Sequence, residues 1–269
     1  MKISGKDLPD GTKQQYKLSG KGRMNLETFW TQHVKDDTMF LEVRCAEGLD
    51  PRKDAQFEID EVAAGFVQED EDAAGIICGN PDFENAICYT GSTQCQRGRA
   101  VARLLANRIS LCAGWLASSS NHLITNEHCL KSQADATNTD FEFLAEAPAC
   151  GTPNCQLCHP GQFTISGANF LRANADLDCA LVQFPNHNPA ATCGFLEIDN
   201  RVGILNEQIC MVSHPAGRAK EFVIRSSHPQ DAGAGFCKLN SLFEPSCGAI
   251  VPSCGCKWFL FTRAFCHFQ

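Results

Sequence analysis

Apolar and polar residues alternate over short stretches along most of this chain, and alternation with a period of two is typical of β-strands that bury one face. In the N-terminal part the stretches "KQQYKLSG", "TFWTQHV", "TMFLEVRC" and "FEIDEVAAGFV" each predict a strand, and turn-forming residues separate them. The acidic run "QEDEDAAG" then predicts a solvated connection. Residues 1–75 are therefore predicted to form a small β-rich accessory domain.

The pattern downstream of residue 95 predicts a second, larger domain. Apolar residues in "QCQRGRAVARLLANRISLC" recur first at helical spacing and then as a strand-like stretch. "GWLA" and "HLIT" flank the polar "SSSN" and predict a β-hairpin. Short strands and polar turns follow, without the regular strand–helix alternation of a parallel sheet. The chain is thus predicted to be all-β, with its main domain over residues 96–245.

Two further segments complete the predicted domain organisation. Residues 76–95 form a connection in which Cys78 and Cys88 bracket a turn-rich segment, and we expect a local disulfide between them. Residues 246–269 form an atypical tail that is rich in phenylalanine and lacks strand alternation and turn residues. We expect this tail to be non-native sequence, of the kind that a frameshift or a retained intron produces.

Composition narrows the function classes. The 17 cysteines indicate an oxidising compartment, where thiols pair as disulfides, and hence a secreted, extracellular protein. The polar start of the chain has no apolar core of a signal peptide, so we expect the native N-terminus to lie upstream of it. A net charge of −8 argues against binding to nucleic acid. No run approaches the roughly 18 consecutive apolar residues of a membrane span.

A histidine stands beside a cysteine at the end of the predicted hairpin, in "CAGWLASSSNHLITNEHC". Because the two arms of a hairpin lie opposite each other, we expect Cys112 and Cys129 to form a disulfide with Cα atoms within about 7 Å. Such a bridge would fix the backbone around His128, as a catalytic base requires. A surface histidine beside a structural disulfide and a metal ligand are the alternatives.

The second candidate is a carboxylate in "NADLDCALVQF". Asp178 stands at the mouth of an apolar strand, where partial desolvation calls for a strong hydrogen-bonding partner such as an imidazole N–H. A plain turn residue before a strand is the alternative interpretation. Asp176 and Asp135 are the competing carboxylates.

Together, "TNEHC" and, about fifty residues later, "LDCALVQF" resemble the histidine and aspartate motifs of the trypsin-like serine peptidases. With "GRAVARLL", "ICG…ICY" and "HPAGRAKEF", the sequence looks like the secreted microbial and water-mould proteins related to lysyl endopeptidases. The resemblance implies a double β-barrel that cleaves polypeptide substrates without a cofactor. His128 would be the general base and Asp178 would orient it. We expect the pair to face each other across the cleft between two barrels.

The nucleophile of that family is missing from the printed sequence, so its position is unknown. No Gly-x-Ser-Gly turn follows Asp178, although its glycines are needed to aim amide groups at the oxyanion. The downstream serines are Ser213, Ser226, Ser227, Ser241, Ser246 and Ser253. We therefore expect an incomplete second barrel and a chain that, as printed, does not hydrolyse peptides.

Three other interpretations stay open. A non-catalytic binding module would keep the scaffold and lose the serine. A zinc-stabilised intracellular protein would use one of two clusters, Cys150 with Cys155, Cys158 and His159, or Cys254 with Cys256, Cys266 and His267. We expect the first cluster to be a disulfide-stapled loop instead. "HPAGRAK" suits a basic anion site or, as we expect, a surface turn.

Overall fold

The computed structural model of the chain describes residues 1–7, 13–54, 57–64, 83–198, 209–225 and 264–267. The chain divides into two compact units, Met1–Phe66 and Val67–Gln269.

The first unit contains a three-stranded antiparallel sheet with β1 (Lys2–Asp7) between β2 (Lys13–Lys17) and β3 (Phe40–Glu42). Ile3 on the central strand is fully buried and lies opposite Tyr16 and Leu41. A 3-10 turn at Arg23–Asn25 and the short helix α1 (Pro51–Asp54) complete the described elements. Two of the four predicted strands are therefore present.

The other two predicted strands are wrong, because residues 28–34 and 57–64 are irregular. Side chains rather than a neighbouring strand reach the backbone of the first segment. The Tyr16 hydroxyl donates to the carbonyl of Gln32, and Arg23 donates to the carbonyl of Trp30. The carbonyl lone pair that accepts a hydrogen bond from a side chain is not available for a hydrogen bond to a neighbouring strand.

The second unit is built around a seven-stranded antiparallel sheet that forms a half-barrel, in the order β10-β11-β7-β6-β5-β8-β9. The strands are β5 (Val101–Ala106), β6 (Ser110–Leu116), β7 (His122–Thr125), β8 (Thr139–Phe143), β9 (Phe163–Ser166), β10 (Asn169–Asn174) and β11 (Cys179–Gln183). The predicted hairpin is confirmed, since β6 and β7 pair Trp115 with Ile124 and Leu116 with Leu123.

A second antiparallel sheet has the order β14-β12-β13-β4. Its strands are β4 (Glu84–Asn85), β12 (Ile209–Ser213), β13 (Glu221–Arg225) and β14 (Ala264–His267). The helices of this unit are short: α2 (Thr93–Gly98), α3 (Gln133–Thr137), α4 (Pro189–Cys193) and 3-10 turns at Ala86–Tyr89 and Pro215–Gly217. The predicted all-β class is confirmed.

The core of the half-barrel is aromatic. Phe141 and Phe143 are fully buried, and both meet the ring of Phe184 edge-on. Burying side chains of this size contributes about 1.5–3 kcal/mol each. This packing gives the strands that carry the site a rigid support.

The predicted helix at the start of the main domain is present only in its first residues, where α2 ends at Gly98, and it is wrong beyond them because "VARLLA" is strand β5. This strand lies between β6 and β8 and is buried on both faces, which removes the alternation that identifies a half-exposed strand.

Cysteine pairing also differs from expectation in one place. Cys88 is bonded to Cys150, so the predicted local bridge between Cys78 and Cys88 is wrong; Cys78 lies outside the described residues. Cys155 is bonded to Cys158. The segment around residues 150–159 is thus the expected disulfide-stapled loop, and its sulfurs are not thiolate ligands for zinc. Of the second proposed cluster, Cys254 and Cys256 lie outside the described residues.

"HPAGRAK" is a buried turn and not the expected surface turn. His214 and Lys220 are 4% and 1% exposed. Gly217 has φ of +70°, and a Cβ atom there would come within 2.6 Å of Leu111. The turn carbonyl of Gly217 accepts a hydrogen bond from the buried Arg103 at 3.0 Å. The turn is therefore buried because Gly217 packs closely against Leu111 and its carbonyl is hydrogen-bonded to the buried Arg103.

Part of the tail is a strand, although no strand was predicted there. In β14, Phe265 lies opposite Met211 and Ala264 lies opposite Val212 of β12. The remainder of the tail lies outside the described residues. Within the described ranges, no helix has both the length and the apolar character that crossing a lipid bilayer requires.

Candidate functional site

His128 stands in a tight turn directly after strand β7. The amide of Leu130 donates to the carbonyl of Asn126 at 3.2 Å and closes the turn. The neighbouring Cys129 is bonded to Cys112 on β6, with the two Cα atoms 6.5 Å apart. The hairpin and its disulfide together fix the backbone on both sides of the histidine.

Asp178 reaches His128 because it directly precedes strand β11, which pairs with β7. Ala180 of β11 lies opposite Thr125, the last residue of β7. Both candidate residues therefore come from neighbouring strands of one sheet. The expectation that they face each other across a cleft between two barrels is wrong.

The two side chains are in direct contact. Nδ1 of His128 lies 2.9 Å from each carboxylate oxygen of Asp178. The backbone amide of His128 also donates to Oδ1 of Asp178 at 3.0 Å. The histidine side chain is 36% exposed and the aspartate side chain is 23% exposed. The carboxylate is thus largely sheltered while one face of the imidazole is open to solvent.

The competing carboxylates have other positions. Asp176 is exposed. Asp135 accepts hydrogen bonds from Asn107, Ser132 and the amide of Lys131 near the start of α3. Burial raises the pKa of Asp135, but these hydrogen bonds outweigh burial and hold the pKa below its usual range. Asp135 is therefore a helix-capping residue in the structure.

Asn126 is a site residue that sequence reasoning missed. Its side chain is 1% exposed, and its amide Nδ2 lies 2.8 Å from Oδ2 and 3.2 Å from the carbonyl oxygen of Asp178. A signal was present in the sequence, since asparagine in "TNEHC" lies two positions before the histidine.

The second ring nitrogen of His128 faces its own disulfide. Nε2 lies 3.3 Å from Sγ of Cys129. The ligand atoms of Cys112, His128 and Cys129 all lie within 4.8 Å of one another, the spacing of a metal centre. Because the two sulfurs form one disulfide, neither is a thiolate, and the oxidised pair does not supply metal ligands.

The structure describes one of the downstream serines. Ser213 lies in strand β12 and is 9% exposed. Ser226, Ser227, Ser241, Ser246 and Ser253 lie outside the described residues.

The contact between the imidazole and the carboxylate is an arrangement that can support proton transfer. A carboxylate on Nδ1 favours the tautomer with its proton on that nitrogen, which leaves a lone pair on Nε2. The imidazole then accepts a proton at Nε2, and the carboxylate stabilises the resulting cation.

Comparisons with a family model and with a curated protein both find similarity to this chain. Residues 83–242 match the family model of the lysyl endopeptidase C-terminal domain. "Secreted RxLR effector protein 73" of Plasmopara viticola is 36% identical over 177 residues, which is 64% of this chain and 42% of that protein. The chain therefore spans less than half the length of this relative.

Two solved structures overlap with about half of the chain. A Glu endopeptidase in complex with MPD covers 55% of this chain and 69% of its own, with 14% identity and a TM-score of 0.38. The inactive form of a serine-to-alanine mutant from M. tuberculosis covers 56% of this chain and 60% of its own, with 11% identity and a TM-score of 0.36.

Proposed function

The chain belongs to the lysyl endopeptidase family through residues 83–242, and from that membership we propose that His128 and Asp178 are the proton-transferring pair of a serine-endopeptidase site. The observation that carries this proposal is the contact of Nδ1 with both carboxylate oxygens at 2.9 Å. The substrates are polypeptides, and the reaction needs no cofactor.

Each group has a defined part in the proposed reaction. Nε2 of His128 takes the proton of a serine hydroxyl while the hydroxyl oxygen attacks the scissile carbonyl. Asp178 holds the imidazole and stabilises its charged form. Nε2 then returns the proton to the leaving amine, and water completes the cycle by releasing the acyl group.

We further propose that the 269-residue chain does not carry out this reaction. None of the printed serines after Asp178 stands in a Gly-x-Ser-Gly turn. Loss of the serine alone costs subtilisin about 2 × 10⁶ in rate. Each missing oxyanion donor costs roughly 3–4 kcal/mol more.

A fluorophosphonate probe tests both parts of the proposal. The folded chain, prepared under oxidising conditions and verified by circular dichroism, is expected to remain unlabelled and to leave a casein substrate intact. Labelling at Ser246 or Ser253 that His128→Ala abolishes would overturn the inactivity and support the catalytic pair. His122→Ala is the matched control, because His122 lies on the same hairpin but hydrogen-bonds to Ser118. Labelling that is lost equally in both variants would mean that His128 has no special part in it.

A second candidate function is polypeptide binding without cleavage. The observation in its favour is that the hairpin disulfide and the His128–Asp178 contact are retained in a sequence without the family's serine turn. An unlabelled chain that binds casein reversibly, with the same affinity in His128→Ala, would support this function. An affinity that requires His128 would place the bound peptide at the peptidase site.

We place the protein outside the cell. Three disulfides join described cysteines, and the Plasmopara viticola relative is named a secreted protein. Disulfides persist in oxidising compartments and are rare in the cytosol. Mass spectrometry of alkylated protein purified from its own compartment would find Cys88, Cys112 and Cys155 protected; free thiols there would contradict the assignment.

A further inference from the structure

Asn126 makes contact with Asp178 at two separate points. The amide Nδ2 donates to the carboxylate Oδ2 at 2.8 Å and to the main-chain oxygen at 3.2 Å. Asn126 is 1% exposed, so water does not compete for this amide. Hydrogen bonds with one charged partner contribute more than neutral ones, and shelter from water strengthens them.

The backbone of Asp178 needs such support. Its φ angle is +47°, in the left-handed region that non-glycine residues seldom adopt. A bond to the main-chain oxygen supports this backbone conformation, and a bond to Oδ2 restricts rotation of the carboxylate. Since Asn126 makes both, one side chain sets the position and the orientation of the aspartate.

The remaining contacts of the carboxylate point to His128. Oδ1 of Asp178 accepts a hydrogen bond from the backbone amide of His128 at 3.0 Å, and both carboxylate oxygens lie 2.9 Å from Nδ1 of His128. The amide of Asn126 and the backbone amide of His128 thus hold opposite oxygens of one carboxylate. This arrangement leaves the carboxylate facing the ring nitrogen between them.

We infer that Asn126 is a positioning residue for the proposed base. By holding Asp178 it keeps the proton of neutral His128 on Nδ1 and leaves the Nε2 lone pair able to accept the proton of a hydroxyl. This inference rests on the proposed function of the His128–Asp178 pair. It gives the pair a third member, which directly follows strand β7 and lies two positions before His128.

The experiment uses nitrogen NMR of the full chain with labelled histidine, because the chemical shifts of Nδ1 and Nε2 report which nitrogen carries the proton. In the native chain at neutral pH, Nδ1–H is expected to predominate. In Asn126→Ala the ratio of Nδ1–H to Nε2–H should fall about tenfold, the effect of losing roughly 1.4 kcal/mol of preference. Asn126→Asp keeps the side-chain size but places a second carboxylate against that of Asp178. The tautomer ratio is measured in this variant if Asn126→Ala does not fold.

The matched control is Thr125→Val. Thr125 is the neighbouring residue, is fully buried, and its hydroxyl donates to the carbonyl of Ala113 at 2.9 Å instead of to Asp178. This variant should lose stability and keep the native tautomer ratio. A native ratio in a folded Asn126 variant, or an equal change in Thr125→Val, would overturn the inference.

The variant Asp178→Asn separates this inference from the proposed function. Asp178→Asn should change the tautomer of His128 if the pair exists. No change in Asp178→Asn means that the His128–Asp178 pair is wrong, and both proposals fall together. A change in Asp178→Asn without one in the Asn126 variants removes the role of Asn126 alone.

Discussion

Arg103 is one of two cations in the described part of the second unit, with Lys220, that are only 1% exposed. Its guanidinium donates twice to Oε2 of Glu142, at 2.8 and 2.6 Å, and to the carbonyls of Cys158 and Gly217 at 3.0 Å. The two side chains are 1% and 4% exposed. Arg103 therefore joins the half-barrel to the disulfide loop and to the buried turn.

We expect Arg103→Met to destabilise the unit by about 3–5 kcal/mol, because it leaves the buried Glu142 carboxylate without its cation. Chemical denaturation measures this loss. Arg103→Met with Glu142→Leu removes both charges and should be more stable than the single variant. A double variant that is less stable than Arg103→Met would show that the pair contributes beyond charge compensation.

His214 should make stability depend on pH. Its Nδ1–H donates to the carbonyl of Arg218 at 3.0 Å, and its buried Nε2 has no hydrogen-bond partner within the described ranges. Burial, then the nearby Lys220 and Arg103, hold the pKa of His214 well below its ordinary value of 6.5. The folded state thus binds fewer protons than the unfolded state just below that pH.

Stability is therefore expected to be full above pH 6.5 and to fall as the pH drops below it, by up to about 1.4 kcal/mol per pH unit. Urea denaturation between pH 7.5 and 5 would measure the slope, and His214→Gln should reduce it. His122→Gln, at a partly exposed histidine, should leave it unchanged. An unaltered slope in His214→Gln would assign the acid sensitivity to other groups.

At the residue scale, the sequence indicates a candidate site residue where that residue has a distinctive neighbour, such as a cysteine or the start of an apolar strand. His128 has a cysteine next to it, and Asp178 directly precedes an apolar strand, so their sequence neighbours mark both as candidates and the structure brings the two side chains into contact. Asn126 was missed because an asparagine after a strand normally indicates a turn. Its partner lies 52 positions away, a distance over which pattern carries no information.

At the scale of elements, each disulfide should stabilise the fold more, the longer the segment of chain that it encloses, with a logarithmic dependence on length. Their sequence separations are 62 for Cys88–Cys150, 17 for Cys112–Cys129 and 3 for Cys155–Cys158. Loop-closure entropy in the unfolded chain then predicts contributions of about 4, 3 and 1.5 kcal/mol.

Serine pairs introduced at one bridge at a time test this order by chemical denaturation. Only the Cys112–Cys129 pair is expected to change the NMR signals of His128 as well, because it alone borders that residue. An equal disturbance of His128 on removal of Cys88–Cys150 would mean that the hairpin does not depend on its own bridge.

Elements were predictable where their two faces differ. The β6–β7 hairpin was found because polar residues separate two short apolar stretches. The pattern predicts a helix over strand β5 because neighbouring strands on both sides bury it along its length and remove the alternation. The polar residues at 214–220 predict a surface turn, but they are buried because they have partners distant in sequence, such as Glu146 for Lys220 at 3.3 Å.

At the scale of the whole molecule, the all-β class follows from the short alternating stretches, and the two specific motifs of the family, around His128 and Asp178, lie beside neighbouring strands of one sheet. Short alternating stretches recur throughout the second unit, so errors in single elements did not change the fold class. In the first unit, half of the predicted strands are irregular segments. The rule of alternation is weaker there, because apolar residues such as Phe57, Ile59 and Val62 are exposed and not on a buried face.

The division of the chain at residues 66 and 67 predicts two unfolding transitions. Residues 1–66 form a unit of marginal size, for which a calorimetric enthalpy near 45 kcal/mol is expected at about 0.7 kcal/mol per residue. Differential scanning calorimetry should show this transition below the melting temperature of the second unit. Removal of residues 1–66 should abolish the lower transition without shifting the upper one, and should preserve the NMR signature of His128. A single cooperative transition, or a lower melting temperature in the shortened chain, would mean that the two units stabilise each other.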